Sequence, residues 1–257
     1  MEIFTLLEKF KNNEIDIDEV EKELRLTYLS VDGTARIDIH RATRTGVPEA
    51  ILAEGKTIGD LKKIADHQLQ RLGRCLITRV SPVHRKALEE LIEEEEIPHI
   101  WNEEARTMQL HHREITKTGG KLGIITAGTS DIPVAEEARV IAEEMGCEVY
   151  TLYDAGVAGI HRLFPDLQKM IENRVDVIVV AAGREGTLPA IIAGLVESPV
   201  IGVPVSTGYG EGGRGRAALL SMLQSCSVLS VVNIDSGFTA GAFAAKIVNK
   251  IARARKT

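Results

Sequence analysis

The sequence predicts an α/β protein: a doubly wound parallel sheet in the C-terminal half, preceded by a smaller α/β domain. Two observations predict it. From Lys121 onward, strand-length runs that are apolar throughout alternate with helical stretches, and strands without polar alternation need cover on both faces. Before Lys121 the apolar runs are shorter and interleaved with charge, and Gly46, Pro48 and Gly55 mark loops. A chain of 257 residues is long enough for one sizeable core and a second, smaller one. The expected division is a helical segment over 1–30, a small α/β domain over 31–117 and the larger domain over 118–257.

In the first segment Phe4, Leu6, Leu7, Phe10, Ile15, Ile17, Val20, Leu24 and Leu26 are spaced among charges as in one or two amphipathic helices. Packing or an oligomer contact is their plainest role. Asp32-Gly33 then punctuates the chain, and Ala35 to Ile39 alternates like a strand. Thr57 suits the cap of a helix running to about Leu72, and Ser81-Pro82 the start of another through Glu94. Short strands are expected at Cys75 to Val80, His99 to Trp101 and Thr107 to His111. In the larger domain the strands read LGIITA (122–127), EVYTLY (148–153), DVIVVAA (176–182), VIGVP (200–204) and LSVVNI (229–234). Helices are expected to begin near Val134, Ile160, Leu188, Gly215 and Gly237.

Composition excludes several classes of function. The formal net charge of -6 comes from mixed charges without a basic block, so neither nucleic acid nor an anionic membrane is an expected partner. Apolar runs such as Val175 to Ala182 fall far short of the roughly 20 residues that span a bilayer. The N-terminus carries acids where a secretory signal needs a basic segment, so a cytoplasmic location is expected. Three cysteines with no CxxC pair argue against a disulfide framework or a cysteine-rich zinc site. Cys75 and Cys147 read as small buried hydrophobes.

Ligands of such sheets bind outside the carboxyl ends of the strands, which selects the loops that follow them. The first carries Gly128, Thr129, Ser130 and Asp131 before Pro133, which is either a phosphate cradle at a helix start or an ordinary cap. The second delivers His161 and Arg162, a pair that elsewhere is more often surface than site. The third, Gly183-Arg184-Glu185-Gly186-Thr187, places a cation and a carboxylate where backbone can approach a ligand. The fourth, Ser206 to Arg216, has five glycines in eleven residues, as expected of a mobile lid, with Arg214 and Arg216 able to reach phosphate or carboxylate. The following helix ends in Gln224-Ser225-Cys226, and Asn233 and Asp235 close the last strand.

Residues 120–255 resemble the PurE-type aminoimidazole ribonucleotide carboxylases through Ser130-Asp131, His161-Arg162, Leu188-Pro189, VIGVPV (200–205) and LLSMLQ (219–224). That resemblance implies a flavodoxin-like fold, a homo-octamer, and a ribonucleotide held by the Ser-Asp loop, the arginine after the second strand and the glycine-rich loops. In that family a histidine stands two residues before the proline of the third loop; here the position is Thr187. Arg184 and Glu185 replace its small residues, and the loop before His161 is longer. These departures fit the LarB family of pyridinium-3,5-biscarboxylic acid mononucleotide synthases, which make a precursor of the nickel-pincer cofactor. RIDIHRATRTGVPEAILAEGKT, ITAGTSDIPVAEEA, DAGVAGIHRL, GREGTLPAIIAGL, GYGEGGRGRAALLSMLQSC and VVNIDSGFTAGAFA carry that likeness along nearly the whole chain.

The LarB resemblance implies carboxylation of ring carbon C5 of nicotinic acid adenine dinucleotide by carbon dioxide, with cleavage of the phosphoanhydride to release AMP. An electron-poor pyridinium cannot attack carbon dioxide. A thiolate adding at C4 or C6 makes C5 nucleophilic, and Cys226 matches the family's nucleophile. Glu185 is either the base that takes the C5 hydrogen or an exposed carboxylate at a helix start. Ser130 and Asp131 are expected at ribose or phosphate, with Asp131 alternatively on a Mg²⁺ ion bridging the diphosphate, and Asn233 and Asp235 joining that group. The competing readings are a divergent aminoimidazole ribonucleotide carboxylase and a non-catalytic nucleotide-binding module.

Overall fold

The computed structural model describes residues 3–24, 29–31 and 35–256, and the chain divides into two compact units. The expectations placed on Leu26 and Asp32-Gly33, and on the side chains of Phe4 and Leu24, lie outside what is described. One unit comprises Met1–Ile100 with Met108–Arg113; the other, Trp101–Thr107 with Glu114–Thr257.

The first unit opens with two helices, α1 (Ile3–Lys11) and α2 (Ile17–Leu24), which bury Leu6 and Val20. Strands β1 (Leu29–Val31) and β2 (Ala35–Ile37) pair antiparallel. There follow α3 (Arg41–Thr45), β3 (Ala50–Leu52), α4 (Ile58–Leu72), β4 (Arg74–Thr78), α5 (Pro82–Glu95), β5 (His99–Asn102) and β6 (Thr107–His111), of which Trp101, Asn102 and Thr107 count with the other unit. The last four strands form a sheet in the order β3-β4-β6-β5. Thr57 caps α4 by accepting the Asp60 N–H, and Ser81 caps α5 by accepting that of His84, with Pro82 in the first turn. The short α3 and β3 were not expected, because Gly46 and Pro48 punctuate that stretch as a loop would. Arg41 of α3 pairs with Glu49 and Arg44 with Asp38, and β3 pairs parallel with β4.

The second unit is built on β7 (Lys121–Thr126), β8 (Glu148–Leu152), β9 (Val177–Ala182), β10 (Val200–Pro204) and β11 (Ser230–Val231). Their order is β11-β10-β9-β7-β8 and every pairing is parallel, which is the flavodoxin-like doubly wound arrangement. Every residue of β9 and β10 is buried, as their apolar runs require. The last strand is shorter than LSVVNI suggested. It lies at the edge with one neighbour, and beyond Val231 the backbone bonds from Val232 N to Gly202 O and Asp235 N to Pro204 O keep the chain alongside β10.

Two helices, α6 (Ile132–Glu144) and α10 (Gly237–Ala254), pack together against one face. A Cβ on Gly237 would stand 2.0 Å from the Val134 carbonyl oxygen, so that glycine sets the closeness of the pair. On the other face, α7 (Phe164–Glu172), α8 (Leu188–Ala193) and α9 (Arg216–Leu223) place Leu167, Met170, Leu188, Ile192, Ala218 and Met222 in one buried cluster with Ile125 and Val180. Among the described residues, no helix is long and apolar enough to cross a membrane.

Candidate active-site cleft

The chain order reverses between β7 and β9, and a cleft of about 510 Å³ opens there, at the carboxyl ends of the strands. Its floor is organised by Asp131, which is buried although charged residues seldom are. One carboxylate oxygen accepts the Gly128 N–H at 2.9 Å; the other accepts the Gly183 N–H and the Thr207 hydroxyl, each at 3.1 Å. One side chain therefore ties together the loops after β7, β9 and β10. Burial raises the Asp131 carboxyl above its ordinary range; the bonds from Gly128, Thr207 and Gly183 oppose that, while the charge of Asp235 adds to it. Gly183 is required for this closeness, because a Cβ there would come within 2.3 Å of the Thr207 hydroxyl oxygen.

The walls carry the charge. Arg162, at the end of a short 3-10 helix over Val157–Arg162, reaches the cleft and pairs with Asp154 at 2.6 Å. Arg184 and Glu185 come from the turn after β9, with Arg184 in the left-handed region at φ 47°. Ser130 lines the cleft with Gly128 and Gly183. Thus Gly128, Ser130, Asp131, Arg162, Gly183, Arg184 and Glu185 meet in one place.

The other expected residues do not line it. Thr129 is exposed beside Ser130, and His161 points to solvent although its neighbour Arg162 reaches inward. Arg214 and Arg216, in and just after the glycine-rich loop, are exposed and do not line the cleft. Asn233 is spent on the Ile234 N–H, and Asp235 accepts the Ser206 N–H at 2.9 Å. Asp131 has both oxygens engaged by the protein, and no group of three or more metal-ligating side chains occurs among the described residues. The residues present therefore do not fit a Mg²⁺ ion held by Asp131, and no step is derived through one.

Cys226 stands apart from all of these. It is exposed, in the bend that follows α9 and precedes β11, and such a helix-to-strand turn lies at the amino-terminal edge of a parallel sheet. The depth of the sheet, roughly 15 Å at about 3.3 Å per residue, separates it from the cleft. Cys75 and Cys147 are buried, and burial is the main cause that pushes the Cys147 thiol up to about 12.

Two cleft residues were missed in the sequence. Thr207 holds Asp131, and Tyr209, 76% exposed, lies under the Arg184 guanidinium, 5.0 Å from ring centroid to carbon. An aromatic with no core to join, in a loop of glycines at a strand's carboxyl end, was the available signal.

Comparison with known proteins defines the class. Residues 121–255 match the AIR carboxylase family, and the chain belongs to that family. The preceding residues, 29–113, match the LarB/PurE-like N-terminal domain. The uncharacterized protein MJ0165 of Methanocaldococcus jannaschii is 45% identical over 254 residues, spanning 95% of this chain and 97% of that one. The N5-carboxyaminoimidazole ribonucleotide mutase of Thermotoga maritima is 32% identical over 132 residues, 50% of this chain and 74% of the mutase. Treponema denticola PurE superimposes with a TM-score of 0.38 at 17% identity, covering 53% of this chain and 92% of that one.

Proposed function

We propose that the protein is a LarB-type carboxylase. It carboxylates C5 of the pyridinium ring of nicotinic acid adenine dinucleotide and cleaves the phosphoanhydride with water, giving pyridinium-3,5-biscarboxylic acid mononucleotide and AMP. The observation that carries this reading is the order of the two domain matches on one chain, a LarB/PurE-like N-terminal domain before an AIR carboxylase domain. The cleft supports it: Thr187 lines it where the mononucleotide carboxylases have histidine, and Arg184 and Glu185 line it as well.

In this reading Arg162 or Arg184 pairs with the ring carboxylate and fixes its orientation. The thiolate of Cys226 adds to C4 or C6, and the resulting enamine carbon C5 attacks carbon dioxide. Glu185 accepts the C5 proton, the thiolate leaves with its electron pair, and the ring is aromatic again. No net oxidation occurs. Because Cys226 lies at the opposite edge of its own sheet, the thiol acts on a ring bound by a neighbouring copy, within the homo-octamer that this reading expects. The test is incubation of the protein with nicotinic acid adenine dinucleotide and bicarbonate, followed by mass spectrometry. A biscarboxylated mononucleotide plus AMP is the expected result; carboxylation of aminoimidazole ribonucleotide instead would put the protein with the mononucleotide carboxylases.

A further inference from the structure

Two arginines line the cleft, and they are held in opposite ways. Arg162 pairs with the Asp154 carboxylate at 2.6 Å, so its charge is already answered and part of its donor fork is spent. Arg184 has no hydrogen-bonded or ion-paired partner among the described residues; what lies against its guanidinium is the Tyr209 ring, 5.0 Å from carbon to centroid. An aromatic face attracts a cation through its quadrupole, yet leaves the charge uncancelled and the N–H donors available to another acceptor.

The backbone on both sides keeps that contact in place. Arg184 sits in the left-handed region at φ 47°, where a residue other than glycine has to be held by its surroundings. Across from it, Thr207 is fixed to the Asp131 carboxylate at 3.1 Å, and Gly208 runs close enough that a Cβ on it would stand 3.4 Å from the Arg184 nitrogen. Tyr209 comes next. Its ring is 76% exposed and joins no core, so packing does not account for where it lies. Its hydroxyl has no hydrogen-bond partner among the described residues, which leaves the ring face as the part that acts.

We propose that Tyr209 is a positioning residue: its ring holds the Arg184 guanidinium at the cleft, charged and with its donors unspent, so that Arg184 selects a pyridine ring bearing a carboxylate over one bearing a carboxamide. The proposal rests on the pyridinium reading of the cleft. Arg184 adjoins Glu185, which that reading assigns to the ring proton, so the anion that Arg184 meets belongs to the ring and not to the diphosphate. A planar fork of donors fits a carboxylate at two points, whereas a carboxamide offers one acceptor and turns its own N–H groups toward the fork.

The experiment is calorimetric titration of the full chain with nicotinic acid adenine dinucleotide and oxidised NAD, which differ at that one group. Wild type is compared with Tyr209→Leu, Tyr209→Phe, Arg184→Gln, and Tyr209→Leu combined with Arg184→Gln. Wild type is expected to prefer the carboxylate-bearing dinucleotide about tenfold, and Arg184→Gln to lose the preference. Tyr209→Leu should reduce it roughly threefold, the size of an exposed cation–π contact, and Tyr209→Phe should keep it because the ring face remains. With Arg184 already replaced, Tyr209→Leu should change nothing further, since the ring acts only through the guanidinium. No preference in wild type, an undiminished preference in Tyr209→Leu, an equal loss for both dinucleotides, or a loss that persists without Arg184 would overturn the positioning role. So would Tyr209→Phe behaving like Tyr209→Leu. If the preference follows the expected pattern while wild type makes no biscarboxylated product, the role of Tyr209 stands and the carboxylation reading falls. If product forms and Tyr209→Leu keeps the full preference, the reverse holds.

Discussion

The two edges of the parallel sheet in the larger unit are made differently. At the carboxyl-terminal edge, Asp131 binds three loops to one another and a cleft results from a single chain. At the amino-terminal edge, Cys226 lies in a bend among large apolar side chains left in solvent, Leu220 at 49%, Leu223 at 61% and Val228 at 95% exposure. An edge tied by its own hydrogen bonds presents a surface that one chain defines. An edge that leaves leucine and valine uncovered presents an apolar surface of the kind that partners cover. A site assembled from both edges would need two copies of the chain.

The sharpest way to break that contrast is to separate the two edges in different chains. Cys226→Ala is expected to lower carboxylation by on the order of 10³-fold or more, as loss of a covalent nucleophile does. Mixed with Glu185→Gln before assembly, it should recover about a quarter of wild-type activity, since an equal mixture pairs an intact thiol with an intact carboxylate at one site in four. No recovery in verified mixed oligomers would place thiol and carboxylate in one chain's site.

Glu185→Gln alone should slow turnover by about 10²-fold with little change in dinucleotide affinity, measured as a kcat loss at constant KM. A wild-type rate would move the base elsewhere. Asp131→Ala tests the tied edge itself. It leaves the Gly128 and Gly183 N–H groups unpaired and should cost about 1–3 kcal/mol, read as a lower Tm. The Asp131 carboxyl is raised in the folded state, so its contribution is fully present below the unfolded value of about 3.9 and fades as pH rises through the folded one. Asp131→Asn should flatten that limb of a stability–pH curve, and an unaltered curve would remove the assignment.

The smallest effect is expected at Cys147. Its thiol donates to the Asn249 side chain at 3.5 Å and stays protonated, so Cys147→Ala should cost about 1 kcal/mol and leave carboxylation unchanged. An activity loss matching that of Cys226→Ala would erase the distinction between the thiols.

Much of this was legible in the residues because it is local. Runs such as VIVVAA and VIGVP announce strands covered on both faces, and Thr57 and Ser81 announce helix starts. The cleft followed from a rule of topology, that loops after parallel strands share one edge. The same rule, applied to chain direction, places Cys226 at the other edge, since it follows a helix. What could not be read was how side chains are shared. Asp131 looked free to meet phosphate or metal because nothing local reveals that Gly183 and Thr207 already occupy it. β3 was hidden because its pairing with β4 is a nonlocal event beside a proline and a glycine.

The bonds from Asp131 to Gly183 and Thr207 span 52 and 76 residues of chain. During vectorial synthesis the floor of the cleft therefore cannot close until Thr207 has left the ribosome, well after β7, β8 and β9 have emerged. A nascent chain paused before that point can hold sheet and helices yet offer no finished cavity, so ligand capture is confined to chains that are nearly complete.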